Sequence, residues 1–147
     1  MSEQEVHTRI QRAVDEAYFR GGGKVSVPHG VHYTEWIQPR ANVWLDLGTA
    51  TLKKHSDDGL ALIHAVETQV NGDYYGMYQN IKITGGFLDA NGKACPLGLI
   101  RAIFTENFLM EGTTIIGHPA AQWATMLGGR HGRVTGCTFR GNPTTVF

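Results

Sequence analysis

Apolar and polar residues alternate in short runs along most of this chain. In Asn80-Ile81-Lys82-Ile83-Thr84-Gly85-Gly86-Phe87-Leu88-Asp89, Ile81 and Ile83 bracket Lys82, and Leu88 resumes the apolar series after a glycine pair. A period of two is that of a half-buried β-strand. The same ten-residue shape returns at residues 107–116 and 131–140, and more faintly at 42–51. Superposed, these stretches give one apolar column of Leu45, Ile83, Met110 and Val134, and a second of Ala50, Leu88, Ile115 and Phe139. A glycine column, Gly85, Gly112 and Gly136, lies between them at spacings of 27 and 24 residues. Asn42, Asn80 and Asn107 open the first three copies. Self-similarity at this period predicts a stacked repeat, because each unit is too small to bury its own apolar face.

The elements follow in order. Residues 2–20 predict an amphipathic helix whose stripe is Val6, Ile10, Ala13, Val14, Ala17 and Tyr18. Ser2 with Glu5 forms a capping box, and Gly21-Gly22-Gly23 ends the helix. A helix with one apolar stripe, set before a repeat array, reads as the cap on its exposed core and edge. Short strands are expected at 24–28 and 31–33, then at 42–52, 60–66, 80–89, 99–104, 107–116, 123–127 and 131–140. A polar loop at 55–59 and a longer one at 67–78 bulge from one face, often the binding face. The predicted organisation is a cap over 1–23 and stacked coils over 24–147, without a C-terminal cap. The apolar ending at Phe147 then calls for more chain or a partner.

The glycine column has a steric reading, a sharp corner where glycine takes the dihedrals most cheaply. The asparagine column has two. Aligned amides hydrogen-bond along a stack, or each asparagine is a turn residue that tolerates the left-handed conformation.

Composition narrows the function classes. Thirteen basic and thirteen acidic residues in 147 give zero formal net charge, so there is no electrostatic case for nucleic acid or an anionic membrane. Nineteen glycines and 18% charged residues fit many tight turns better than a helical bundle. No apolar stretch approaches the roughly 20 residues that span a bilayer. The polar, acidic start, Met1-Ser2-Glu3-Gln4-Glu5, does not read as an export signal. Cys95 and Cys137 show no metal spacing, and Cys137 beside the apolar column reads as a small core residue. No cofactor or metal is expected.

Gly21-Gly22-Gly23-Lys24-Val25-Ser26-Val27-Pro28-His29-Gly30-Val31-His32-Tyr33, the Asn-(Val/Ile) repeat starts, and Gly85-Gly86-Phe87-Leu88-Asp89-Ala90-Asn91-Gly92 resemble the start of the right-handed parallel β-helix proteins of the pectin-lyase-like superfamily. That superfamily includes polygalacturonases and phage tailspikes and tail fibres. The resemblance covers nearly the whole chain. It implies an all-β fold, a right-handed parallel β-helix (solenoid) with an N-terminal capping α-helix. In the polygalacturonase branch, catalytic aspartates follow a segment similar to Ile116-Gly117-His118-Pro119-Ala120-Ala121-Gln122-Trp123. The usual next signals are Asn-Thr-Asp-Gly, an Asp-Asp pair and Gly-His-Gly. Gly141-Asn142-Pro143-Thr144-Thr145 matches none of these, so no catalytic residue carries over.

The other candidates are binding residues. Tyr74, Tyr75 and Tyr78 share a long loop and offer rings that stack on sugars. Trp123 with Arg130 and Arg133 offers an outward sugar or anion contact. Asp57-Asp58 is a paired carboxylate of the kind glycosidases use, but the sequence shows no basic partner at a telling spacing, so it reads as a solvated turn. Asp89 reads as a structural turn. His55, His64, His118 and His131 lack ligand spacing, and His29 and His32 lie in the cap turn. The expectation is a virion tail spike or fibre component, a homotrimer or a partner of other tail proteins, facing a polysaccharide or cell-surface glycan. The alternatives are the N-terminal portion of an extracellular polysaccharide lyase or glycoside hydrolase, and a non-enzymatic glycan-binding coil.

Overall fold

The computed structural model describes residues 3–58, 60–66, 78–96, 98–117, 124–127 and 129–141. Helix α1 (Glu3–Phe19) comes first. The strands are β1 (Gly23–Ser26), β2 (Val31–Thr34), β3 (Val43–Lys54), β4 (Ile63–Val66), β5 (Gln79–Asp89), β6 (Ile100–Ile103), β7 (Glu106–Glu111), β8 (Thr114–Ile116), β9 (Ala124–Leu127), β10 (Arg133–Thr135) and β11 (Thr138–Arg140). The chain is therefore mostly β, as its alternation predicts. The strand expected over 60–66 begins only at Ile63, and Ser2 of the expected capping box lies outside the described residues.

All the pairings between these strands are parallel. The larger sheet runs β1-β3-β5-β7-β10; β2 pairs with the second half of β3, β8 with the second half of β5, and β11 with β8. The smaller sheet is β4-β6-β9, extended by a parallel bridge from Ile37 to Ile63.

The register follows the sequence columns with one correction. Val25, Leu45, Ile83, Met110 and Val134 are successive partners. In the second column the partner of Leu88 is Leu52, not Ala50, followed by Ile115 and Phe139. Strand β3 holds two extra residues, one between Asp46 and Gly48 and one between Gly48 and Thr51. An ungapped superposition slips there, because each bulge shifts the period-two register by one.

The corners explain the glycines. Gly85 and Gly86 have φ of 66° and 65°, in the left-handed region that glycine enters most cheaply. They also have no room: a Cβ on Gly85 would lie 2.8 Å from the Gly48 carbonyl oxygen, and one on Gly86 2.4 Å from Leu47 Cβ. Asn42, Asn80 and Asn107 do two things at once. Their φ values are 62°, 54° and 54°, and their amides chain along the stack. Asn80 Nδ2 donates to Asn42 Oδ1 at 2.9 Å and Asn107 Nδ2 to Asn80 Oδ1 at 3.0 Å. His131, also left-handed at φ 54°, takes the fourth place.

Inward side chains of both sheets meet in one core with Ile10, Val14 and Ala17 of α1. The helix lies against β1, β2 and β3. Its Gln11 side chain imitates a neighbouring strand. Gln11 Nε2 donates to the Gln38 carbonyl at 2.9 Å, and the Gln38 N–H donates to Gln11 Oε1 at 2.8 Å. Those backbone groups stand next to Ile37, which opens the smaller sheet, and would otherwise lack partners. Arg40 adds a 2.9 Å ion pair to Asp15 and lies over the Tyr18 ring.

Two asparagine substitutions separate the two roles. Asn80→Gly loses only the two ladder hydrogen bonds, worth about 1 kcal/mol each, whereas Asn80→Ala loses them too and adds about 1–2 kcal/mol of left-handed strain. Urea unfolding should rank wild type above Asn80→Gly and Asn80→Ala last; equal midpoints for the two variants would remove the strain argument.

Candidate functional site

The period of two that fills the core also sorts the outer face of the larger sheet into columns. Lys24, Trp44, Lys82, Leu109 and Arg133 are successive register partners on β1, β3, β5, β7 and β10. Beside them run Ser26, Asp46, Thr84, Glu111 and Thr135. The asparagine ladder borders this face. Parallel strands lie about 4.8 Å apart, so Lys24, Lys82 and Arg133 recur at every second strand, about 10 Å apart.

The middle of the face is held rigid. Trp44 Nε1 donates to Thr84 Oγ1 at 2.8 Å, and Thr84 Oγ1 donates to Asp46 Oδ1 at 3.2 Å. Lys24 Nζ lies 4.4 Å and Lys82 Nζ 4.1 Å from the Trp44 ring centroid, inside cation–π range. Lys24 also pairs with Asp46 at 3.1 Å. The Lys24 hydrogen bond holds the Asp46 carboxyl below its ordinary range against the opposing effect of burial, helped by the Gly48 N–H and Thr84. Lys82 has the same ring but no carboxylate partner among the described residues. A depression of about 380 Å³ opens beside it, lined by Asn80, Lys82, Asn107, Leu109, His131 and Arg133 among others.

A second polar cluster lies at the end of β3. The inward positions of that strand finish at Leu52 and then Lys54, which is fully buried. Its ammonium donates to Asp58 Oδ1. Asp58 also accepts from the Leu60 N–H at 2.9 Å, and it shares the single Ser56 hydroxyl proton, at 3.1 Å, with Glu35. Burial pushes the Asp58 carboxyl up, but the Lys54 and Leu60 hydrogen bonds, the Lys54 charge and Ser56 together bring it below its ordinary value. Asp57 accepts from the Ala94 N–H at 3.2 Å. Cys95 is buried nearby, its thiol pushed up by burial and so kept protonated. Asp57 and Asp58 are both exposed, as in a solvated turn, but the turn is tied to a basic partner. The missing basic partner is Lys54, four residues back, and the signal was its place in the inward series of β3.

The predicted binding residues fare differently. Tyr74, Tyr75 and Trp123 lie outside the described residues, as does His118. Tyr78 belongs to the core rather than to an open loop: it is 2% exposed, and its hydroxyl accepts from Gln38 Nε2. Its ring is therefore closed to a sugar. Arg130 is exposed, paired with Glu106 through a parallel backbone bridge, and one residue before the left-handed His131. It thus borders the same face as Arg133. The structural residues Gly85, Gly112 and Gly136 all have positive φ. Sequence reasoning missed Lys24, Trp44 and Lys82 as a set, although Trp44, Lys82, Leu109 and Arg133 share one position of the superposed repeats. Among the described residues no three His, Cys, Asp or Glu side chains cluster as metal ligands.

Neither a family model nor a curated protein matches the chain. Among solved structures it is similar to a protein from Parabacteroides merdae provisionally described as a glycosyl hydrolase. The two share 20% identity over 93% of this chain and 82% of that one, with a TM-score of 0.62. The likeness is one of fold.

The buried lysine gives an asymmetric pair of variants. Asp58→Asn strands a buried ammonium and should cost about 2–3 kcal/mol, whereas Lys54→Met removes the charge itself and should cost less than about 1 kcal/mol. Chemical unfolding measures both, and an equal loss would contradict the assignment. The pH dependence is also fixed in sign. Burial lowers the pKa of His64, with Arg101 adding to it, and burial lowers His7 against a smaller opposing effect of Glu35. The unfolded chain therefore takes up protons first, near the ordinary 6.5. Stability from these groups is full above that pH and falls as pH drops below it. Melting temperature should decline in that window, less steeply in His64→Asn.

Proposed function

We propose that the chain is a right-handed parallel β-helix that presents the outer face of its larger sheet to an anionic glycan, as a segment of a virion tail spike or fibre. The observation that carries the glycan reading is the column Lys24-Trp44-Lys82-Leu109-Arg133. It sets cations on alternate strands of a flat, polar face. A polysaccharide is also a linear repeat, and an acidic one carries charge at regular intervals. A rigid ladder of cations meets such a chain with little ordering cost. Asn80, Asn107 and Thr84 supply donors and acceptors for hydroxyl groups beside the charges.

Wholly parallel pairing, corner glycines, and a core shared by two sheets and the helix support the β-helix reading. The spike reading rests on the sequence resemblance. It is supported by Val134 and Phe139, which continue the core columns yet are 37% and 45% exposed. Partner copies would cover them, and trimeric assembly would appear as a threefold mass in light scattering.

One observation favours a second reading, the N-terminal portion of a polysaccharide lyase or glycoside hydrolase. It is the fold shared with a protein provisionally described as a glycosyl hydrolase. In that case the face would hold substrate, and the chemistry would come from residues other than those described.

Binding decides the glycan reading. The protein should be retained by acidic polysaccharides and not by neutral ones, with affinity falling as salt rises. Lys82→Gln and Arg133→Gln should each weaken it roughly 3- to 10-fold, about 0.7–1.4 kcal/mol. Equal affinity for neutral and acidic glycans, or variants that bind like wild type, would overturn it.

A further inference from the structure

The smaller sheet has an outer face of its own, and two of its nitrogens are unaccounted for. His64 on β4 and Arg101 on β6 are register partners, so their backbones lie one strand spacing apart, about 4.8 Å. Their neighbours Ile63, Ala65, Ile100 and Ala102 are buried in the core. Alternation therefore puts His64 and Arg101 together on the opposite face. Both are half-buried. His64 Nδ1 and Arg101 Nε are sealed from solvent, and neither has a hydrogen-bond partner among the described residues. Arg101 also has no carboxylate partner among the described residues. Trp36 packs edge-on against the imidazole, with ring centroids 5.2 Å apart at 72°. Thr125 of β9 stands next to Arg101 in register.

A buried Nε–H without an acceptor is costly, and more so when the group is charged. Here a permanent cation and an imidazole lie side by side with nothing negative between them. Their repulsion and burial are felt by His64, whose pKa is lowered by both. Sheets do not normally leave two adjacent polar nitrogens in this state. With the proton of the neutral imidazole on Nδ1, an anion with at least two oxygens would accept from both nitrogens and offset the guanidinium charge. A carboxylate or a sulfate does so, and the planar guanidinium edge suits either.

We propose that His64 and Arg101 form an oxyanion-binding site on the outer face of the smaller sheet, separate from the Lys82 face. One oxygen accepts from Arg101 Nε–H and another from His64 Nδ1–H, while Trp36 walls one side. The ligand is a molecule that presents a carboxylate or a sulfate group. The parallel register fixes where both backbones stand, and binding uncovers the two sealed nitrogens.

The test is an NMR titration of the intact chain, following the Arg101 Nε–H and His64 imidazole signals with glucuronate and with inorganic sulfate as probes. His64→Gln and Arg101→Lys identify the signals. Saturable shifts of both signals with either probe support the site, and the probe that binds more tightly tells carboxylate from sulfate. In Arg101→Gln, with its fold checked by circular dichroism, the His64 response should weaken at least ten-fold. Arg101→Lys keeps the charge but loses the fork, and should also bind more weakly; it serves in place of Arg101→Gln if that variant does not fold. No response to either probe, or an undiminished His64 response in the folded variants, would overturn the proposal.

Discussion

The structure depends on one close approach, the stacking of Gly85-Gly86 on residues 47–50 of the strand before. There the backbone turns in the left-handed region, and the next strand lies so near that a single Cβ at Gly86 would meet Leu47 Cβ at 2.4 Å. With the turn fixed, both halves of β5 pair in parallel with both halves of β3, and the register of every later strand follows. The asparagine ladder repeats the device at the entry to each long strand. A positive φ, costly for most residues, is tolerated by asparagine, and the same side chain bonds the layers together.

A parallel register does more than fill a core. It copies each outward position onto the next strand, so surface chemistry is arranged in columns without further design. Lys24, Trp44, Lys82 and Arg133 form one on the larger sheet; His64, Arg101 and Thr125 form another on the smaller. Lys54 shows the inward version of the rule. It takes a core position because Leu52 does so two residues earlier, and the chain answers with Asp58 rather than with another apolar side chain. Like any buried ion pair, this one offers little net stability and a large penalty when broken.

Much of the fold was legible because period-two alternation is a local signal. The column Leu45-Ile83-Met110-Val134 was readable residue by residue. Ala50 was misplaced for Leu52 because bulges add residues without changing the hydrophobic pattern. Tyr78 read as a loop residue, since an aromatic beside a polar stretch carries no mark of burial until Gln38 is brought to its hydroxyl. The pairing of Lys54 with Asp58 sat at a spacing of four, a helical signal that draws no notice in a strand. Trp44 and Lys82 are 38 residues apart, and only superposed copies would have joined them.

By itself the sequence determined the alternation, the glycine and asparagine corners, and therefore mostly parallel strands in a repeated register. These follow from dihedral preferences and from the burial of alternate residues, which act within a few positions. Which columns meet, and what stands in them, was decided only by the tertiary structure. It set two lysines on one indole, buried Tyr78, gave Lys54 its acid, and left His64 and Arg101 side by side with no acceptor among the described residues. Each of these is a contact between strands tens of residues apart, or across a turn whose path the local pattern does not specify. Composition cannot report them, because the stacking distance, not the residue type, brings them together.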